Sequence, residues 1–228
     1  MTTLTRTLQK NSLTIYAALV LALLALLAFS PAEATLGNVV KIVYAHGAAE
    51  RVSAYAYLIA GALGIIHLSL RGAKRRSNPQ SNVEIASSQT ALLAMTLGNW
   101  VQAVAETAIV FWLAQVVVSL PAQLLAWGAM TWNEPRVAGA LWILTLSALV
   151  YVIARWIGEA NWMSFAAVAN AAIFLIVLRG AINILHPIDP IVGSDSLAIK
   201  GFYAAIVVVT GLIALQFARD RAKILRRL

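Results

Sequence analysis

The stretch IASSQTALLAMTLGNWVQAVAETAIVFWLAQVVVSLPAQLLA, Ile85 to Ala126, decides the fold. It is apolar along most of its length and long enough for two bilayer passes, since one pass needs about 20 residues. Read as two spans it gives a seven-helix chain, and read as one it gives six. The other apolar runs lie at about 13–29, 52–70, 137–154, 165–184 and 197–217. They are continuous rather than alternating, which argues against the strands of a membrane barrel. A segment in hydrocarbon must satisfy its own backbone hydrogen bonds, so each run is predicted to be a helix.

Charge settles the count. With a single span at about 101–126, Arg6, Lys10, Arg71, Lys74, Arg75, Arg76, Arg155, Arg219, Arg221, Lys223, Arg226 and Arg227 share one side. The other side keeps only Lys41, Arg51, Arg136 and Lys200. Basic flanks stay cytoplasmic, and a seventh span would export the basic tail. The expectation is therefore an all-α polytopic membrane protein of six transmembrane helices, one domain over 1–228, with both termini cytoplasmic. Residues 85–100 are expected to lie on the surface or tilt into the third span, with Glu106 near its inner end. The basic loop Arg71 to Arg76, followed by Ser77-Asn78-Pro79, marks the plainest break in the chain.

Composition agrees. Of 228 residues, 61% are apolar and only 11% charged, against roughly a quarter charged in a water-facing domain. The net charge of +8 is explained by orientation and by attraction to anionic lipid, so no nucleic acid is expected as a partner. Cysteine is absent, which excludes a disulfide framework, a thiolate metal site and thioether attachment of a cofactor. Ala32-Glu33-Ala34 resembles a signal-peptidase site. The apolar core before it is slightly long for a signal peptide, and a retained first helix is expected.

Three outer loops hold the chemistry. The first, about Ser30 to Arg51, contains Tyr44-Ala45-His46-Gly47. The second, about Ala126 to Arg136, contains Trp127-Gly128 and Trp132-Asn133-Glu134-Pro135-Arg136. The third begins at Leu185-His186-Pro187. His46 and His186 could ligate haem iron axially. Trp127 and Trp132 offer flat faces for a porphyrin, and Arg51 and Arg136 could meet its propionates in bidentate fashion. Interfacial anchoring accounts for the same tryptophans and histidines without any ligand. His67, near the inner end of the second span, reads as structural. Glu106 and Arg179 are ionisable groups on spans, where structural pairing is the favoured role. There is no phosphate loop, no H-E-x-x-H and no G-x-S-x-G, and no catalytic residue is assigned.

The order Tyr-x-His, then Trp-Gly…Glu-Pro-Arg, then Leu-His-Pro resembles the cytochrome c assembly superfamily, and within it most closely haem exporter protein C. The resemblance implies His46 and His186 as axial ligands of haem iron. It likens Trp127-Gly128 to the start of the family's tryptophan-rich (WWD) segment and Glu134-Pro135-Arg136 to its end. It implies transient, non-covalent binding of haem b at the outer face of the plasma (inner) membrane. Partners so implied are a periplasmic haem chaperone, ABC-type transporter subunits and a small membrane protein. Such a chain would be a carrier rather than an enzyme. The tryptophan segment here holds only Trp127 and Trp132, which favours the alternative of an accessory structural subunit that keeps the scaffold without haem. A small-solute permease is a third reading, for which only the span count speaks.

Overall fold

The structure, a computed structural model, describes residues 3–76, 84–181, 191 and 193–227, with backbone alone at 3–10, 72–76, 84–91 and 160. Six helices follow one another: α1 Thr3–Phe29, α2 Val40–Arg76, α3 Glu84–Trp127, α4 Pro135–Ile157, α5 Ala160–Gly180 and α6 Leu197–Leu225. All six are long and apolar enough to cross a membrane. No strand occurs among the described residues beyond an isolated bridge between Glu33 and Gly37.

The deciding stretch is one helix. α3 runs 44 residues without a break, about 66 Å at the α-helical rise, so the basic tail is not carried across by an extra span. Pro121 lies inside it and removes one backbone donor, a loss tolerated in membrane helices when neighbours cover the freed carbonyl.

The helices alternate in direction, as their contacts require. The Ser12 hydroxyl donates to the Asp220 carboxylate, so α1 begins where α6 ends. Both chain termini therefore sit at one end of the bundle. At the same end, Arg71 donates to Asn161 at 2.9 Å, joining the end of α2 to the start of α5. The opposite end gathers the α1–α2 connection, the α3–α4 turn, the end of α5 and the start of α6. Here the Lys41 ammonium donates to the Ala28 carbonyl at 2.7 Å, and Tyr44 packs against Tyr203 with ring centroids 6.0 Å apart.

α2 and α3 form the centre of the bundle. Between α2 and α5, Gly61 and Gly64 permit close approach: a Cβ on Gly61 would stand 2.6 Å from Ala171 Cβ, and one on Gly64 2.8 Å from the Ser164 carbonyl. Small residues are how membrane helices gain packing area where lipid is as apolar as leucine. His67 is fully buried beside this contact, with Nδ1 2.7 Å from Ser164 Oγ, a structural placement. Glu106 is also buried, and its partner is Arg221 rather than Arg179. Tyr151 and Gln102 donate to the same carboxylate at 2.6 and 2.9 Å. One carboxylate thus ties α3, α4 and α6 together. Arg179, in the last turn of α5, is exposed.

α4 shows how local sequence sets its own start. Glu134 is the N-cap, its Oε2 accepting from the Val137 amide at 2.8 Å. Pro135 occupies the first helical position, where its missing donor costs nothing. Gly158, at φ 79°, ends the helix with its N–H on the Ala154 carbonyl.

Candidate functional site

The end of the bundle away from the termini encloses a cavity of about 700 Å³, within the range of small-molecule and cofactor sites. Every helix except α1 contributes to its wall, and α1 is represented by the segment that follows it. From α2 come Val43, His46, Gly47, Glu50 and Arg51, which recur at helical spacing and so share one face. From α3 come Trp112, Gln115, Ser119 and Gln123, with Trp127 at the mouth. α4 supplies Arg136, Gly139 and Ile143.

His46 is on a helix and not in a loop. α2 begins at Val40, so the first connection is shorter than the Ser30–Arg51 loop expected from the apolar run. The reason is packing: Val40, Tyr44, Ala48, Ala49 and Val52 are buried at helical period despite Lys41 and His46 between them. The consequence is a rigid imidazole. Its Nδ1 lies 3.3 Å from the Gln115 backbone carbonyl, and a carbonyl can only accept, so Nδ1 carries the proton. In the neutral ring the lone pair then belongs to Nε2. A backbone carbonyl fixing the tautomer in this way is the usual arrangement behind a metal-ligating histidine.

Arg51 reaches back toward α6, its guanidinium carbon 5.1 Å from the centre of the Tyr203 ring. Gly47 makes room for this, since a Cβ there would meet the Tyr203 hydroxyl at 2.9 Å. Arg136 is half-buried in the cavity wall and has no ion-pair partner among the described residues. Trp127 lines the cavity and is 37% exposed. Trp132 is 53% exposed and outside the lining, so of the two platform tryptophans only Trp127 faces the space. His186 lies outside the described residues. Ala181 and Ile191, which bracket that segment, both line the cavity.

The structure adds residues that the sequence reading passed over. Trp112 is 2% exposed, donates its indole N–H to the Ala140 carbonyl at 2.9 Å, and packs edge-on to Tyr57 and Phe174. Trp112 lines the cavity, and Tyr57 and Phe174 back it from behind. Gln115, Ser119 and Gln123 fall four residues apart in an otherwise apolar helix, a polar stripe that could have been found from spacing alone. At the rim, Glu33 accepts from the backbone amides of Leu36 and Thr35, each at 2.8 Å. These bonds, that from Leu36 first, hold its carboxyl below the usual glutamate range.

Among the described residues, two buried polar atoms of the cavity wall have no hydrogen-bond partner: Gln123 Nε2 and Glu134 Oε1. Such atoms are costly unless something completes them. Among the described residues no three His, Asp or Glu side chains converge as a site for a bare metal ion. A metalloporphyrin does not need such a cage, because its own nitrogens fill the equatorial positions and leave only the axial ones to the protein. An apolar wall, a tautomer-fixed imidazole and two guanidinium groups suit an amphipathic, iron-bearing ligand with carboxylate edges. Comparison of the chain with protein-family models, curated proteins and solved structures returns no match.

Proposed function

We propose that this chain is a haem-handling membrane protein of c-type cytochrome maturation. His46 would ligate the iron of haem b in the cavity, with His186 as the second axial ligand. Arg136 and Arg51 would hold the propionates and Trp127 would flank the ring, with Trp132 outside at the surface where a partner could meet it. The observation that carries this reading is the setting of His46, whose Nδ1 is anchored on the Gln115 carbonyl inside a cavity of about 700 Å³ that Arg51, Trp127 and Arg136 also line.

The charge pattern supports the orientation. The basic end of α2, Arg71–Arg76, which is helical and not the loop expected from the sequence, and the tail Arg219–Arg227 belong to the end opposite the cavity, so the cavity would face the outside of the plasma (inner) membrane and the termini the cytoplasm. From that position the chain would deliver haem non-covalently to a periplasmic haem chaperone, acting beside ABC-type transporter subunits and a small membrane partner. Its own residues bind, orient and release, and no residue is assigned a catalytic step. A second reading, an accessory structural subunit without haem, is favoured by the exposure of Trp132 and by the engagement of Arg51 with Tyr203.

The test is the absorption spectrum of detergent-purified protein expressed with ample haem, beside His46→Ala and His186→Ala. A bis-histidine spectrum that fades in both variants is the expected result. A colourless protein that co-purifies with a fixed partner would overturn it in favour of the accessory subunit.

A further inference from the structure

The two unpartnered polar atoms of the cavity wall differ in kind, and the difference selects a ligand. Gln123 is 5% exposed, and its orientation is fixed by its own carbonyl: Oε1 accepts from the Thr131 amide at 3.3 Å and from the Thr131 hydroxyl at 3.1 Å. An amide held by its oxygen must present its nitrogen on the other side. Nε2 is therefore turned away from Thr131, in a side chain that lines the cavity, and has no acceptor among the described residues. Arg136, in the first turn of α4, brings a guanidinium without an ion-pair partner among the described residues to the same cavity. Glu134 is 1% exposed, spends Oε2 on the cap of α4 and leaves Oε1 unpartnered. Together these are two kinds of donor waiting for an oxygen and one carboxylate oxygen waiting for a proton.

We propose that Gln123 and Arg136 form a carboxyl-binding subsite, in which Gln123 is a specificity-determining donor and Glu134 filters the charge of the head group. A ligand carboxyl satisfies Gln123 Nε2 and Arg136, and when it carries a proton it can share that proton with Glu134. A phosphate head carries up to two charges and a sulfate head stays ionised, so neither can relieve repulsion from the Glu134 carboxylate by binding a proton as a carboxyl can in a medium of low dielectric. The cavity is thus built for an apolar molecule edged with carboxyl groups. This deepens the haem reading and rests on it only for the identity of the ring, since the subsite makes no use of iron.

Metal-free protoporphyrin IX and its dimethyl ester separate the two ideas, because neither can be ligated through iron. Binding is read from tryptophan quenching in detergent-purified wild type, Gln123→Glu and Gln123→Leu, with haem titrated in parallel against His46→Ala. Gln123→Glu keeps an acceptor for Thr131 but adds an acid to the wall, whereas Gln123→Leu removes the donor without adding charge, so an effect common to both reports the donor. The expected result is that wild type binds the free acid about tenfold more tightly than the ester, the worth of one hydrogen bond to a charged group. That preference should vanish in both Gln123 variants while ester binding stays. Equal affinity for acid and ester in wild type overturns the subsite, as does a parallel loss of both in the variants. Acid preference with a haem spectrum indifferent to His46→Ala keeps the subsite and removes the ligation. Binding of neither porphyrin nor haem removes both.

Discussion

The two ends of this bundle face the same problem, polar side chains placed within or against hydrocarbon, and solve it in opposite ways. At the end that holds both termini, the groups close on one another. Glu106 takes Arg221, Tyr151 and Gln102, Asp220 takes Ser12, Gln216 and Lys223, and Arg71 takes Asn161. Among the described residues, His67 Nε2 is left over there, and Tyr57 Oη, Ser147 Oγ and Asn170 Oδ1 are left over along the middle of the bundle. At the cavity end, Gln123 and Glu134 each use half of their hydrogen-bonding capacity, and Arg136 stands in the wall without an ion-pair partner among the described residues. Satisfied networks fix helices, because every partner lost strands a charge or a dipole. Incomplete ones beside a cavity leave a ligand something to complete.

The closed end should therefore carry the larger stability effects. Arg221→Ala leaves the Glu106 carboxylate buried with Tyr151 and Gln102 but no cation. It is expected to cost roughly 3 kcal/mol, the lower side of what stranding one member of a buried pair costs, read as a fall in melting temperature in detergent. The double replacement Glu106→Leu with Arg221→Leu should recover most of that loss, since both charges leave together. If Arg221→Ala is neutral, the network does not hold the helices and the contrast between the ends collapses.

The contrast was partly legible in the sequence. The six spans follow from the length and continuity of the apolar runs, and Ile85–Ala126 resolves into one helix as the distribution of Lys and Arg required. The cap at Glu134-Pro135 is readable because acid then proline is the chemistry of a helix start. The partner of Glu106 was not readable: Arg221 lies 115 positions away, and nothing local chooses it over Arg179. The start of α2 was missed because Lys41, His46, Glu50 and Arg51 lower the apolar content of 40–51. Their helical face is bought only by tertiary contact with Tyr203 and its neighbours. Gln115 and Gln123 were within reach through their spacing, but what makes them a site is the cavity in front of them, which periodicity does not reveal.

At the cavity end the same kind of substitution should scarcely move stability. Arg136→Met keeps length and apolar stem and removes a cation that has no ion pair to lose. The expected change in unfolding free energy is within about 0.5 kcal/mol, measured beside Arg221→Ala under identical conditions. A loss as large as that of Arg221→Ala would mean that Arg136 is structural, and the division between a holding end and a binding end would fail.

The smallest effect belongs to the rim. Glu33 is held by the amides of Leu36 and Thr35 in the turn that precedes α2, and these bonds lower its pKa from the ordinary 4.5. A carboxyl whose folded pKa is depressed contributes to its turn above the ordinary value and loses that contribution as pH falls through the lowered one. The amide resonances of Leu36 and Thr35 should accordingly titrate together with a midpoint below 4.5, and the titration should be absent in Glu33→Gln. A midpoint at or above the ordinary value would mean that the carboxylate is not held by the turn. Glu33 would then join the unfinished groups of the cavity wall instead of framing its entrance.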